Sequence, residues 1–332
     1  MTIPTARFNP APYLASPHLQ TIWGPATRRR DAVALRRERL SAPDGEILRL
    51  DHLAGPARSP RVLLLHGLEG SSRSVYVQGL LGGVARLGWR ATVLNFRSCA
   101  LEGRPPRPSP VTRCRLYHSG ETSDLDHVIR HLAAEEPGGP LFAVGFSLGG
   151  NVLLKWLGES GGNAALRGAA TISVPFDLGA GARHMEKGVR PLYVWNFLRS
   201  LRAKTRDIVH RFPEAASRID LRRAMKASSF HAFDDAANAP LHGFLGADDY
   251  YARCSSLGFL GRIAVPTLCL GSADDPFLPG AVLRRAADVA SSSVRIVTTS
   301  AGGHVGFVEH SPRGLRYWAE EQVLEWLRRS AR

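Results

Sequence analysis

Residues 141–156, LFAVGFSLGGNVLLKW, restrict what this chain can fold into more than any other stretch. Small and apolar residues lead into Gly145-Phe146-Ser147-Leu148-Gly149, and an apolar run at helical spacing (Val152, Leu153, Trp156, Leu157) leads away. The pattern predicts a buried strand, a sharp turn and a helix, with Ser147 at the apex. Glycines on either side of such a turn let neighbouring backbone approach without clash, and the turn lifts the serine hydroxyl clear of the sheet. A chain built around this unit needs parallel strands with helices on both faces, so an α/β architecture is expected.

The surrounding sequence alternates accordingly. Arg61–Leu65 is a short apolar run of the kind buried on both faces of a sheet, followed by a helical stretch at Val75–Leu87 and a second apolar strand at Arg90–Asn95. A helix is predicted over Thr122–Ala134, its Asp124 and Asp126 suited to the positive N-terminal end. Strands follow at Gly168–Val174, Pro266–Gly271 and Val294–Thr299, with helices near Ala281–Ala290 and Leu315–Leu327. Val33–Leu40 and Glu46–Leu53, joined by Pro43-Asp44-Gly45, read as an antiparallel hairpin because Pro fixes φ and Gly supplies φ > 0.

Three segments break the alternation. Residues 1–32 are expected to form an irregular, Pro-rich arm whose Phe8, Tyr13, Leu14, Leu19, Ile22 and Trp23 pack on the body formed by residues 33–332. Gly103–Arg115 is a Pro/Arg-rich insertion, and residues 175–260 read as a helical cap over the C-terminal edge of the sheet.

With 44% hydrophobic and 22% charged residues the chain is of ordinary globular composition, and no apolar run reaches the ~20 residues that would span a bilayer. The N-terminus lacks a continuous apolar core, so a secretory signal is not expected. Cys99, Cys114, Cys254 and Cys269 have neither metal spacing nor a disulfide pattern, which suits a reducing, cytoplasmic setting. The net charge of +14 is spread in arginine pairs such as Arg222-Arg223, Arg284-Arg285 and Arg328-Arg329 rather than on one aromatic-rich element. Nucleic-acid binding is therefore not expected. Solvated arginine faces are the plain explanation, and peripheral contact with an anionic membrane is the functional alternative.

A serine hydroxyl needs an adjacent base. Two loops beyond strand ends supply partners in the order Ser…Asp…His: Ser272-Ala273-Asp274-Asp275-Pro276-Phe277, and Gly302-Gly303-His304-Val305-Gly306. His304 is the expected base and Asp275 its orienting acid, with the adjacent Asp274 as the alternative. Backbone N–H groups of Leu148, directly after the serine, and Leu68, after His66-Gly67, are expected to form an oxyanion hole. His66 suits a loop-shaping role better than that of base; His118, His242 and His310 are weaker rivals. Gly79-Leu80-Leu81-Gly82-Gly83 is not a phosphate loop, and neither cofactor nor metal is expected.

Eight motifs together resemble the YheT-like branch of the α/β-hydrolase superfamily: SPHLQTIWGP (16–25), LHGLEGSS (65–72), NFRSC (95–99), YHSGET (117–122), VGFSLGGNVLLKWLGE (144–159), DDYY (248–251), DDPFLP (274–279) and GGHVGFV (302–308). The resemblance implies a cytoplasmic serine hydrolase that cleaves carboxylic esters of short to medium acyl chain, without a cofactor, its triad falling on Ser147, Asp275 and His304. Eukaryotic relatives include membrane phospholipases and alcohol acyltransferases, so acyl transfer to an alcohol and lipid hydrolysis are the alternatives. An inactive binding fold fits less well, since all three triad positions are filled. The family usually has glycine where Ser98 stands and reaches YHSGET by a shorter route than the 103–115 insertion here, which bears on substrate range more than on chemistry.

Overall fold

The computed structural model describes residues 8–28, 33–312 and 314–332. Eight strands form one sheet: β1 (Arg36–Ser41), β2 (Ile47–Leu53), β3 (Arg61–Leu65), β4 (Arg90–Asn95), β5 (Leu141–Phe146), β6 (Gly168–Ile172), β7 (Thr267–Ser272) and β8 (Val294–Thr299). Their order is β1-β2-β4-β3-β5-β6-β7-β8. The hairpin partners β1 and β2 are antiparallel, β2 runs antiparallel to β4, and every later pairing is parallel.

Alternation of side chains across β3 shows why its sequence is apolar throughout. Leu63 and Leu65 join one buried cluster, with Val128 and Ile129 of α3 (Ser123–Glu135) and Val152 and Leu153 of α4 (Leu148–Ser160). Val62 and Leu64 join the other, with Leu80 and Leu81 of α2 (Val75–Arg86) and Val323 and Leu327 of the C-terminal helix. A strand covered on both faces has no position for a polar side chain. The mostly parallel sheet is thus flanked by helices on both sides, as expected.

The adjacent strands β3 and β5 send their following helices to opposite faces of the sheet. Their C-terminal ends therefore diverge and leave a crevice between the two loops, the usual place for a ligand on an open α/β sheet. Ser147 leaves β5 at this point, and His66-Gly67-Leu68 leaves β3 beside it.

Between β6 and β7 the chain is helical and builds a small core of its own from Val194, Leu198, Ile208, Ile219, Phe233 and neighbours. Its longest element is α5 (Pro191–Arg211), which starts with a proline at a position where no backbone N–H is needed. Val111, from the Pro/Arg-rich insertion, is buried in this same core.

Two local expectations are corrected. Residues 8–28, read as irregular, contain the eleven-residue helix α1 (Pro17–Thr27). Pro17 occupies its first turn, so the proline that suggested irregularity starts the helix instead. The flanking parts of the predicted arm, 1–7 and 29–32, lie outside the described residues. The C-terminal helix begins at Trp318, because Gly314–Tyr317 pairs as a short strand with Val308–Ser311. Glu320 and Glu321 then fall in the first turn, where the helix dipole favours them.

Ser98 adopts φ 61° and its hydroxyl is buried without a hydrogen-bond partner. That left-handed conformation gives a backbone reason for glycine to be the usual residue at this position in the resembling family.

Gly149 packs α4 against the end of β3 at closer range than any side chain allows: a Cβ there would lie 2.5 Å from the His66 carbonyl oxygen and 2.6 Å from that of Leu65. Gly149→Ala is expected to lower the unfolding free energy by about 1–3 kcal/mol, the usual cost of overpacking, in urea denaturation.

Candidate active site

Ser147 has φ 50° and ψ −120°, a conformation L-residues rarely hold, and immediately precedes α4. Its N–H donates to Ile172 O of β6 at 2.9 Å. Gly145 and Gly149 are required by space: at Gly145 a Cβ would sit 2.5 Å from Gly150 Cα. The serine is thus held at the tip of a turn whose two sides are already in backbone contact.

His304 Nε2 lies 2.9 Å from Ser147 Oγ, and His304 Nδ1 lies 2.9 Å and 3.1 Å from the two carboxylate oxygens of Asp275. A carboxylate accepts only, so Nδ1 carries the proton and Nε2 is left to accept from the serine hydroxyl. Asp275 is 4% and His304 9% exposed, so the hydrogen bonds between them are largely shielded from solvent. The Asp275 carboxylate also accepts the Phe277 N–H at 2.8 Å. Asp274 does not reach His304; it accepts the Gly303 N–H at 3.0 Å and ties the two loops together.

The loop bearing His304 is braced from four sides. Its own N–H donates to Thr21 Oγ1 of α1 at 3.0 Å, and Val305 N–H donates to Ser173 Oγ at 3.0 Å. Ser272 Oγ donates to Gly303 O at 2.9 Å, and the Phe277 ring stacks on the imidazole at 4.3 Å. Gln20, fully buried, exchanges hydrogen bonds with the Val308 backbone. The bracing by α1 joins residues nearly 300 positions apart, and no local pattern signals it.

Leu148 is the first residue of α4, where an N–H has no partner within the helix. Leu68 follows Gly67, whose missing side chain leaves only 3.3 Å between a hypothetical Cβ and Ser147 Cβ. Gly67 N–H donates to Tyr76 Oη at 2.9 Å. His66 shapes this turn from beneath: Phe96 N–H donates to its Nε2 at 3.1 Å, so Nδ1–H donates to Gly67 O at 2.8 Å. Complete burial pushes the His66 pKa down to about 4, so it is neutral near pH 7.

Glu69, one residue beyond Leu68, has φ 55° and is gripped by three side chains. Tyr117 Oη–H donates to Glu69 Oε1 at 2.8 Å while its oxygen accepts the Glu69 N–H at 2.9 Å. From α5, Lys204 Nζ donates to Oε1 at 2.7 Å and Ser200 Oγ donates to Oε2. The Lys204–Glu69 pair is nine-tenths buried and joins the helical insertion to the turn that carries Leu68. Sequence reasoning missed it, since neither residue belongs to a spaced motif shared with the other.

Ser147, His304, Leu68 and Leu148 open into one cavity of about 530 Å³. Its far wall comes from the insertion and is largely apolar, with Leu178, Met185, Phe197, Ile219, Phe230 and Leu241. One acid, Asp234, lies in that wall, bonded to Tyr251 Oη at 2.7 Å and to Asn238 Nδ2 at 3.1 Å; burial raises its pKa to about 6. Of the rival histidines, His118 lines the cavity 4.6 Å from the His242 ring, and His310 is exposed on the short strand at Val308–Ser311. None of the three is hydrogen-bonded to Ser147, and His242 is held by the Asn238 and Leu116 carbonyls. Among the described residues, Glu38, His131 and Glu135 bring ligand-type atoms within 4.8 Å of one another. Glu38 and His131 are bonded to each other at 2.9 Å, and none of the three lines the cavity.

The profile of the family described as "alpha/beta hydrolase fold" matches residues 60–311. The Escherichia coli K12 protein named "Putative esterase YheT" is 35% identical over 97% of this chain and 93% of its own length. The chain belongs to the α/β-hydrolase family, in its YheT-like branch. The mouse protein named "Phospholipase ABHD3" is 31% identical to this α/β-hydrolase over 87% of the chain and 70% of its own length. Among solved structures, the fold matches the Pyrococcus furiosus esterase Pf2001 at a TM-score of 0.56, 15% identity and 99% coverage of both chains. An enzyme described as a putative aryl esterase from Burkholderia cenocepacia matches at 0.54 and 19% identity, over 89% of this chain and 99% of its own.

Histidines kept neutral by burial set the pH dependence of stability. His66 is held to about 4 and, by burial and the neighbouring His242, His118 to about 3, against an ordinary 6.5. Below pH 6.5 the unfolded chain takes up protons that the folded chain refuses, so stability falls as pH drops from 6.5 towards 4. Asp234, protonated more readily when folded, opposes this below about pH 6. The unfolding free energy is expected to drop by about 2 kcal/mol per such histidine between pH 7 and about pH 5, and His118→Gln to flatten that slope in urea titrations.

Proposed function

We propose that this hydrolase cleaves carboxylic esters by an acyl-enzyme route, with Ser147 as nucleophile, His304 as base and Asp275 as the acid that orients it. The observation that carries the reading is His304 itself, which bridges Ser147 Oγ and the Asp275 carboxylate at 2.9 Å on each side at the floor of the cavity. Ser147 Oγ attacks the ester carbonyl carbon as its proton passes to His304 Nε2. Asp275 stabilises the imidazolium and holds its tautomer. The Leu68 and Leu148 N–H groups receive the oxyanion, each such donor lowering the barrier by about 3–4 kcal/mol in related sites. Collapse expels the alcohol, protonated by His304, and water activated by the same imidazole releases the acid.

Short- to medium-chain acyl groups fit the site, since about 530 Å³ of largely apolar cavity accommodates a chain of that size beside the alcohol portion. Residues 175–260 serve as a cap: they supply the apolar wall facing Ser147 and contact the Leu68 turn through Lys204. Residues 8–28 of the predicted arm act as a packed segment, supported by Phe8 against Phe307 and Trp318 and by Thr21 on the His304 N–H. A reducing cytoplasm as working compartment is supported by four free cysteines, of which burial pushes the thiols of Cys99 up to about 11 and of Cys254 and Cys269 up to about 12.

Acyl transfer to an alcohol is the second reading. A yeast relative named "Medium-chain fatty acid ethyl ester synthase/esterase 2" is 28% identical over 80% of this chain and 61% of its own length. The same acyl-enzyme would serve either acceptor.

Hydrolysis of p-nitrophenyl esters, acetate through palmitate, tests the assignment. Ser147→Ala is expected to lose on the order of 10⁶ in kcat and Asp275→Asn about 10⁴, whereas Asp274→Asn keeps most of the activity. Equal turnover by wild type and Ser147→Ala would overturn the nucleophile assignment. Ethyl esters formed in the presence of ethanol would place the enzyme among acyltransferases.

A further inference from the structure

Nine large apolar side chains stand exposed among the described residues, and six of them come from two short segments: Tyr13, Leu19 and Ile22 around α1, and Val189, Leu192 and Trp195 around the start of α5. The two segments meet. His18 of α1 stacks on Tyr193 of α5 at 5.8 Å with an interplanar angle of 11°, and its Nδ1 is 3.0 Å from Tyr193 Oη. Ile22 and Tyr193 both line the cavity that holds Ser147, so this apolar ridge borders the cavity's opening. Tyr193 in turn packs edge-on against Phe277, the ring that covers His304.

The outward face of α5 is sorted along its length. Its buried positions are Val194, Leu198, Thr205 and Ile208. On the opposite side, at helical spacing, stand Leu192 (72% exposed) and Trp195 (59% exposed), followed by Arg199 and Arg206. The Arg199 guanidinium lies 5.7 Å from the Trp195 ring centre. Residues 183–211 carry eight Lys/Arg against two acidic residues, and with Lys204 turned inward onto Glu69 a net +5 remains in this segment outside that buried pair. Apolar and aromatic side chains at one end of a helix face, with arginines long enough to reach back to a charged surface, form the pattern that seats a helix in a lipid headgroup layer.

We propose that the ridge formed by α1 and the start of α5 docks on an anionic bilayer surface and delivers lipid esters to the cavity it borders. The proposal rests on the ester-hydrolase reading for its substrate class, and its partner is chosen by charge: a basic segment flanking an apolar ridge is complementary to an anionic headgroup layer. Leu192 and Trp195 enter the acyl boundary while Arg199 and Arg206 stay at the headgroups. No helix among the described residues is long and apolar enough to cross a membrane, so this contact is a surface one.

Vesicle flotation with Ser147→Ala as the parent protein tests this without lipid turnover entering the readout. Phosphatidylcholine vesicles are compared with vesicles containing phosphatidylglycerol. The parent is expected to float with the anionic vesicles at about 0.1 M salt and to be released at about 1 M, where screening shortens to about 3 Å. Adding Leu192→Asp with Trp195→Asp, or Arg199→Glu with Arg206→Glu, is expected to reduce the floated fraction about tenfold. Thermal melts by circular dichroism check that both variants fold. On the otherwise wild-type enzyme, neither pair changes turnover of a water-soluble ester. A parent that stays in the aqueous phase, or variants that float like the parent, would overturn the proposal. So would light scattering that shows a dimer split by Leu192→Asp and Trp195→Asp without vesicle binding, because a second copy would then cover the ridge. Flotation that persists in an enzyme inert towards every ester would separate the two claims: docking would stand and the hydrolase reading would fall.

Discussion

The backbone of α4 touches the backbone at the end of β3, and the rest of the site follows from that contact. With Gly149 placed 2.5–2.6 Å, in Cβ terms, from two carbonyl oxygens, the turn between β5 and α4 has almost no freedom. Ser147 takes up the remaining strain at φ 50°. The same contact places the first N–H of α4 beside the turn after β3, because the two strands are neighbours and their helices leave to opposite faces. The oxyanion site proposed beside the serine accordingly rests on sheet order and glycine placement, with no side chain required to supply it.

His304 reaches this fixed point from a loop that has little regular structure of its own. Val305 and Phe307 hold φ of 59° and 48°, and Gly303 is also left-handed. Such a run persists only because its surroundings over-determine it. The surroundings here are Thr21, Ser173, Ser272 and Asp274, drawn from three separate parts of the chain. One of the adjacent acids orients the imidazole and its neighbour secures the loop.

Much of this was legible in the sequence for identifiable reasons. Strands buried on both faces carry continuous apolar runs, so β3 to β7 stood out, and the glycines around Ser147 marked a turn with no room for side chains. The choice between Asp274 and Asp275 was harder, since neighbouring carboxylates differ only in where a loop points them. Helix α1 was misread because a proline signals a helix start and a broken chain equally well. The Lys204–Glu69 pair and the Thr21 brace were invisible, because each joins distant segments through a single contact and leaves no periodicity. Sequence patterns report what repeats or what is sterically forced; contacts made once, across long separations, need coordinates.

Lys204 and Ser200 hold Glu69 from the insertion side, and Glu69 adjoins the turn that presents Leu68. Moving α5 away would leave the Glu69 carboxylate in a largely apolar site without its counter-charge, a state that a small displacement already makes costly. The insertion and the Leu68 turn are therefore joined by a buried charge pair as well as by apolar packing, so any change that loosens α5 also removes a support of that turn.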